Sequence, residues 1–314
     1  MGFGFLMDTR ILKSDALLLI TAIIWGFAFV AQRIGMDYVG PFTFNGVRFA
    51  LGALSLLPLL LISREERTAA ENILPRPSTR LIVFGGFLVG FLLFMGMSLQ
   101  QIGLVYTTAG KAGFITSLYV VIVPIMALFL KQPATNHGTW LGAGLAAAGL
   151  YFLSISESFT IEIGDLLVFI CAFFWAAQVI AIGWLSPKIQ SLKLAFGQFV
   201  VCSILSLIAA GIVEEINWSA LVQASWPILY GGILSSGVAF TFQVMAQRYT
   251  HSAHASIIMS LESVFAAIGG WLLLDETFSL RGLIGCILML SGVLISQLWG
   301  VVGRKSADND SWKK

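Results

Sequence analysis

Two ionisable side chains stand inside stretches that are otherwise apolar: Arg48 and Glu262. Around them in sequence lie uncharged hydrogen-bonding and aromatic groups: Trp25, Asn45, Gln100, Gln101, Tyr119, Trp175, Gln178, Gln198 and Gln243. A carboxylate held away from water can exchange a proton, hold a cationic group, or hydrogen-bond to a neighbouring helix turn; Glu262 is open to all three. A guanidinium in the same setting can bind a solute carboxylate, pair with an acid, or reach outward with its stem in lipid, and Arg48 is open to each. Trp175 and Gln178, three residues apart, share a helix face. A mainly apolar pocket with a few placed polar groups suits a small amphipathic solute, and Trp25, Gln100, Tyr119, Trp175, Gln178 and Gln243 are the set that could line one.

Such residues need elements to hold them, and composition says which. The 314 residues are 58% hydrophobic and 11% charged, with a mean hydropathy of +0.90. Soluble domains carry about 25% charged residues, so this chain cannot cover a soluble surface, and the apolar excess must face a lipid bilayer. A net charge of +2 offers nothing to nucleic acid. Cys171, Cys202 and Cys286 are scattered through apolar runs and read as packing residues, neither a disulfide framework nor a metal site.

A helix needs about 20 mainly apolar residues to cross the hydrocarbon. Ten stretches qualify, near 15–34, 42–62, 80–101, 110–130, 138–155, 164–185, 193–213, 226–247, 254–274 and 281–300. Met1–Asp15 carries a short apolar patch with Arg10 and Lys13, and the apolar stretch after it has no small-residue cleavage site, so it reads as a full span rather than a signal peptide. Most of the eighteen basic residues, including Arg10, Lys13, Arg64, Arg67, Arg76, Arg80, Lys131, Lys188, Lys193, Arg248, Arg304 and Lys305, then fall on one side, with Arg33, Lys111 and Arg281 on the other. The positive-inside rule makes both termini cytoplasmic.

The chain also repeats. Asp15–Trp25 lines up with Asp165–Trp175 at an offset of 150, which also sets Arg48-Phe49 over Gln198-Phe199. Tyr106-Thr-Thr-Ala-Gly-Lys-Ala112 matches Tyr249-Thr-His-Ser-Ala-His-Ala255 at an offset of 143, a register that sets Gln100 on Gln243, Tyr119 on Glu262, Gly142 on Gly285 and Gly149 on Gly292. Five helices per half is an odd number, so the second copy enters from the other side. The expected fold is therefore an all-α polytopic membrane protein, ten transmembrane helices as two inverted five-helix repeats. Residues 1–155 form the first repeat, 156–303 the second, and 304–314 a cytoplasmic tail. Inverted repeats mark secondary transporters, whose halves alternate around a site near the midplane.

Trp25, Arg48-Phe49, the twin Tyr106–Ala112 and Tyr249–Ala255 segments, Ser260-Leu-Glu-Ser-Val264, Leu274-Asp-Glu276 and Gly285-x6-Gly292 together resemble the EamA-type branch of the drug/metabolite transporter superfamily. The resemblance covers about residues 15–300. It implies a ten-helix basket with a central cavity lined chiefly by helices 1, 3, 4, 6, 8 and 9, helices 5 and 10 lying outside. It also implies export of amino acids or related metabolites, with import of cofactor-like solutes as the alternative, and it places Glu262 in a recurring packing motif. Lys131-Gln132-Pro133 and Tyr119-Val-Val depart from the acidic patterns of the family's first half.

Other groups read as structural. His251 and His254 lack a further ligand type nearby and read as loop or helix-capping residues. Asp275-Glu276 reads as a turn with Arg281 as a local partner. Gly142, Gly144, Gly149, Gly285 and Gly292 suit close helix packing, whereas Gly85-Gly86, Gly90, Gly96, Gly231-Gly232 and Gly237 could flex. No phosphate loop, nucleophile elbow or metalloprotease motif is present, which argues against an ATP-driven pump or an enzyme. A membrane-embedded transferase, leaning on His251 and His254, is the remaining enzymatic alternative. The sequence thus points to a secondary transporter in the inner membrane, working by alternating access on a small-molecule substrate, with no cofactor and with proton coupling through Glu262 as a second hypothesis.

Overall fold

A computed structural model describes residues 9–62, 77–130, 137–154, 162–275 and 280–311, with backbone alone at 153, 154, 297, 298 and 300–311. Lys131-Gln132-Pro133, Glu276 and the basic residues Arg64, Arg67 and Arg76 lie outside the described residues. The described elements are all helical: α1 (Thr9–Gly35), α2 (Pro41–Ile62), α3 (Thr79–Gly103), α4 (Ala109–Phe129), α5 (His137–Ser154), α6 (Ile163–Leu185), α7 (Ser191–Val213), α8 (Ser225–Ala246), α9 (Ser252–Leu273) and α10 (Leu280–Ser311), plus one short helix at Trp218–Gln223. All but α5 and α10 are long and apolar enough to cross a membrane. Lipid offers the backbone no hydrogen bonds, so helices are what such apolar runs must form. The expected spans and the helices agree to within two residues at most ends. Two ends differ: α1 starts six residues before its apolar run, at Thr9, and α10 continues past its apolar part (Leu280–Ser296) through most of the expected tail.

Burial follows the internal repeat. Every buried residue of α1, from Ser14 and Asp15 to Gly35, has a buried counterpart 150 residues later in α6, from Gly164 and Asp165 to Leu185. Packing follows it too. α3 lies against α6 and α7, as α8 lies against α1 and α2; α4 meets α6 as α9 meets α1; α5 pairs with α10. In lipid no hydrophobic drive holds helices together, so close packing and interhelical hydrogen bonds must. The α5–α10 contact illustrates this: a Cβ on Gly142 would come 2.7 Å from the Gly292 carbonyl oxygen, and one on Gly292 2.6 Å from that of Gly142. Only glycine lets the two backbones approach so far.

Three helices are irregular where the centre needs them to be. α4 divides at Leu118, into Ala109–Ser117 and Tyr119–Phe129, and α9 divides at Ser260–Leu261, into Ser252–Met259 and Glu262–Leu273. Leu118 and Leu261 are equivalent in the 143-residue register. In α4, Pro124 lacks the N–H that would close on the Val120 carbonyl. In α9 the hydroxyls of Ser256, Ser260 and Ser263 bond back to carbonyls three residues earlier, at 2.8, 2.7 and 2.8 Å, which competes with the helical ladder. α8 is π-helical over Tyr230–Phe240, and Ser236 Oγ donates to the Gly231 carbonyl there at 2.8 Å. π turns inside α-helices cluster at functional sites. Side chains of α1 tie that stretch down: Thr21 Oγ1 donates to Ala239 O at 3.1 Å and Trp25 Nε1 to Ser235 O at 3.3 Å.

Carboxylates secure the helix starts. Glu214, just past α7, accepts from Phe42 N (2.7 Å), Thr43 N (2.8 Å) and Thr43 Oγ1 (2.7 Å), supplying the negative charge that a helix N-terminus favours. Asp165 in the first turn of α6 accepts from Glu162 N at 2.9 Å and Thr107 Oγ1 at 3.0 Å and pairs with Lys111 Nζ at 2.6 Å. Asp275 stands at φ +53° beyond α9, a left-handed position that Asp tolerates better than most residues, in keeping with the expected turn.

Candidate functional site

The middle of the bundle is an aromatic cluster around Phe240. Its ring centroid lies 4.5 Å from Trp25, 5.8 Å from Trp175, 5.9 Å from Phe49 and 6.1 Å from Phe199, and the two tryptophans are 6.1 Å apart. These separations are those of offset and edge-on aromatic pairs. The cluster forms one wall of a cavity to which α1 gives Trp25, Ala28, Phe29 and Gln32; α3 gives Met97 and Gln100; α4 gives Thr116 and Tyr119; α6 gives Trp175 and Val179; α8 gives Ser235, Phe240 and Gln243; and α9 gives Glu262. Those are the six helices expected of the cavity, and α2 adds Arg48. The free space is about 20 Å³, room for a water molecule. An organic solute fits only if the walls separate.

Two amide chains flank the aromatics. On one side Trp175 Nε1 donates to Gln100 Oε1 at 3.0 Å, and Gln100 Nε2 to Gln32 Oε1 at 3.1 Å. On the other, Gln243 Nε2 donates to Gln178 Oε1 at 3.1 Å, and Gln178 Nε2 to Gln198 Oε1 at 3.3 Å. Buried polar groups are costly unless bonded, and these chains satisfy most of the amides while leaving the wall able to exchange partners. Gln178 is not on the cavity wall; it stands behind Gln243. Gln101 bonds Gln32 O and Asn45 bonds Met97 O, both at 3.2 Å, so these two brace α3 against α1 and α2.

Tyr119 and Glu262, equivalent in the repeat, each begin the second half of a broken helix, where carbonyl and N–H groups are loosened. Glu262 accepts from Ser117 Oγ at 3.4 Å. The Tyr119 hydroxyl stands near this carboxylate but makes no hydrogen bond of normal geometry. Arg48 is fully buried, so the outward-reaching reading fails: the side chain turns into the protein. Gly231 leaves it room, since a Cβ there would meet the Arg48 side chain at 3.2 Å. The guanidinium carbon lies 4.7 Å over the Phe49 ring and 5.6 Å over Phe44, Nη2 meets Met97 Sδ, and Nε and Nη1 have no partner. Among the described residues no carboxylate pairs with it. Cation–π contact returns about 2 kcal/mol in a desolvated site, against several kcal/mol for burying an ion.

His254 is neither a loop nor a capping residue. It lies inside α9, with Nδ1 3.1 Å from Ser296 Oγ and Nε2 3.2 Å from Asp15 Oδ1, while His251 occupies the N-cap position without a side-chain cap bond. Among the described residues no group of three His, Cys, Asp or Glu side chains could hold a metal ion.

Two segments of the chain, residues 12–155 and 162–298, each match the EamA-like transporter family. The chain belongs to that family. An uncharacterized transporter of Archaeoglobus fulgidus is 34% identical over 290 residues, 91% of this chain and 86% of its own length. The uncharacterized transporter YoaV of Bacillus subtilis is 22% identical over 281 residues, 87% of this chain and 93% of its own. A Chlamydia muridarum protein named S-adenosylmethionine/S-adenosylhomocysteine transporter is 27% identical over 289 residues, 83% of this chain and 84% of its own. One crystal structure shares the fold at a TM-score of 0.73 and 17% identity, over 91% of this chain and 97% of its own. This EamA-like protein is a membrane transporter, and its surroundings are small-molecule substrate and lipid.

Sequence reasoning missed eight residues on the transporter's cavity wall: Ala28, Phe29, Gln32, Met97, Thr116, Val179, Ser235 and Phe240. Gln32 had a signal, since it follows Trp25 by seven residues, two turns on one helix face. Phe240 had none, being one Phe among many in apolar helices.

Proposed function

We propose that the transporter exports a small organic metabolite, an amino acid or related amphipathic solute, by alternating access. The reading takes α5 and α10 as crossing helices beside the other eight, giving two inverted five-helix repeats (residues 1–155 and 156–303), with both termini cytoplasmic in the inner membrane. The single observation that carries it is the cavity, walled by Trp25, Trp175 and Phe240 and bordered by amide chains, with side chains drawn from both halves. The counterpart packing pairs, the recurrence of burial at an offset of 150 and the two broken helices support the same symmetry. Discontinuous helices at a repeat interface are where secondary transporters bind solute and coupling ion.

A thermal-shift screen of the purified protein against amino acids, nucleosides, vitamins and drugs tests the reading, with liposome flux of the hits. Ligand stabilisation grows with the logarithm of concentration over Kd, so millimolar metabolites register. Flux out of inside-out-oriented vesicles only, or none for any stabilising solute, would sink export. The second reading, uptake of a cofactor- or nucleoside-like metabolite, is favoured by the Chlamydia muridarum relative's name; opposite flux of an adenosyl compound would establish it.

A further inference from the structure

We infer that Arg48 is the anchor for a carboxylate of the transported solute, and so selects solutes carrying one negative charge. The inference rests on the cavity being the solute site. Three observations carry it. Arg48 is fully buried on the cavity wall, with Nε and Nη1 unpartnered and only a thioether sulfur at Nη2. A guanidinium stays protonated in proteins, so its charge is fixed, and among the described residues no carboxylate forms an ion pair with it. Its counterpart in the other half is Gln198, which is neutral, lies off the wall and is bonded to Gln178. The positive charge thus departs from the repeat at the point where the cavity is lined, and symmetry of packing does not account for it.

The same wall limits the anion. Glu262 is the other ionisable acid or base besides Tyr119 among the residues lining the cavity, and no second cation lines it. A phosphate group brings a charge of about −1.5 to −2, more than the single guanidinium on this wall balances. A carboxylate brings one charge, and a planar guanidinium matches its two oxygens. The aromatic wall of Trp25, Trp175 and Phe240 then takes the apolar remainder of the solute. Phe44 and Phe49, stacked on the guanidinium, hold it in place without competing for its N–H groups.

The test uses three probes of one shape with the purified full-length protein, read by thermal shift and by quenching of tryptophan fluorescence: benzoate, benzamide and phenyl phosphate. Benzoate should bind at least about tenfold tighter than benzamide, as a charge-assisted hydrogen bond predicts, and phenyl phosphate no tighter than benzoate. Arg48→Gln should bring benzoate to within about twofold of benzamide, and Arg48→Lys should keep part of the preference. Benzoate and benzamide bound equally by the unaltered protein, or benzoate affinity unchanged in Arg48→Gln, overturns the inference while leaving the cavity a solute site. The benzoate-to-benzamide ratio of the unaltered protein needs no variant, so a misfolded Arg48→Gln does not rescue the idea. No probe bound, together with amino-acid binding that Trp25→Ala leaves unchanged, removes the cavity reading and the inference with it.

Discussion

His254 Nε2 stands 3.2 Å from Asp15 Oδ1, and the offsets of 143 and 150 carry these two residues onto Lys111 and Asp165, themselves 2.6 Å apart. Each pair ties the start of a broken helix to the N-terminal part of a helix in the other half: α9 to α1, and α4 to α6. If the halves rock about the centre, these are the two points that must part in turn.

Removing one tie should therefore loosen one end alone. In a protein lacking Cys171, Cys202 and Cys286, a cysteine placed at Ser252 should label several-fold faster after Asp15→Asn, and one placed at Ala109 should not. Asp165→Asn should reverse the pattern. Both positions are buried, so labelling reports opening. Equal acceleration at both ends by either change would contradict the arrangement.

The glycine contact between α5 and α10 makes a stability prediction. Gly142→Leu or Gly292→Leu should lower the unfolding midpoint, since overpacking costs about 1–3 kcal/mol. Gly144 meets nothing within 4 Å, and Gly144→Leu should leave the midpoint near its original value. A drop of similar size at Gly144 would show that the loss is not one of backbone approach.

Glu214 anchors the start of α2 through three hydrogen bonds. Glu214→Ala should cost about 0.5–2 kcal/mol, as loss of a helix cap does, and Glu214→Gln less, because its amide oxygen still accepts. Chemical or thermal unfolding in detergent reads both; identical losses for the two would mean that packing against Gly40, not capping, is what the side chain provides.

At the cavity, Trp25→Ala and Trp175→Ala should each weaken solute binding about fivefold or more, given roughly 1 kcal/mol per aromatic pair, with flux falling in step. Glu262→Gln addresses coupling. A proton carried by this carboxylate means that the pH-gradient drive disappears in the variant while solute exchange persists. Unchanged gradient dependence would leave Glu262 to its bond with Ser117.

The helices were legible because lipid permits few solutions: an apolar run of about 20 residues becomes a helix whatever surrounds it. The repeat was legible from Trp25 over Trp175 and Gln100 over Gln243, residues costly enough in lipid to stand out. Of the six residues expected to line a pocket, Trp25, Gln100, Tyr119, Trp175 and Gln243 share one cavity, where Arg48 and Glu262 join them without having been assigned to it from the sequence. What stayed hidden was decided by tertiary neighbours. Gln178 shares a helix face with Trp175 yet turns to Gln198 and Gln243, because α7 and α8 reach it first. His254 finds Asp15 across more than 230 residues of chain, a pairing that no local spacing announces.

The π-helical stretch of α8 holds a longer rung than an α-helix would, and Gln243 sits just beyond it. Should Tyr230–Phe240 tighten to α geometry, the same residues wind further round the axis, and Gln243 beyond them turns with it. A single helix then trades the face it offers to a solute by rewinding one internal stretch.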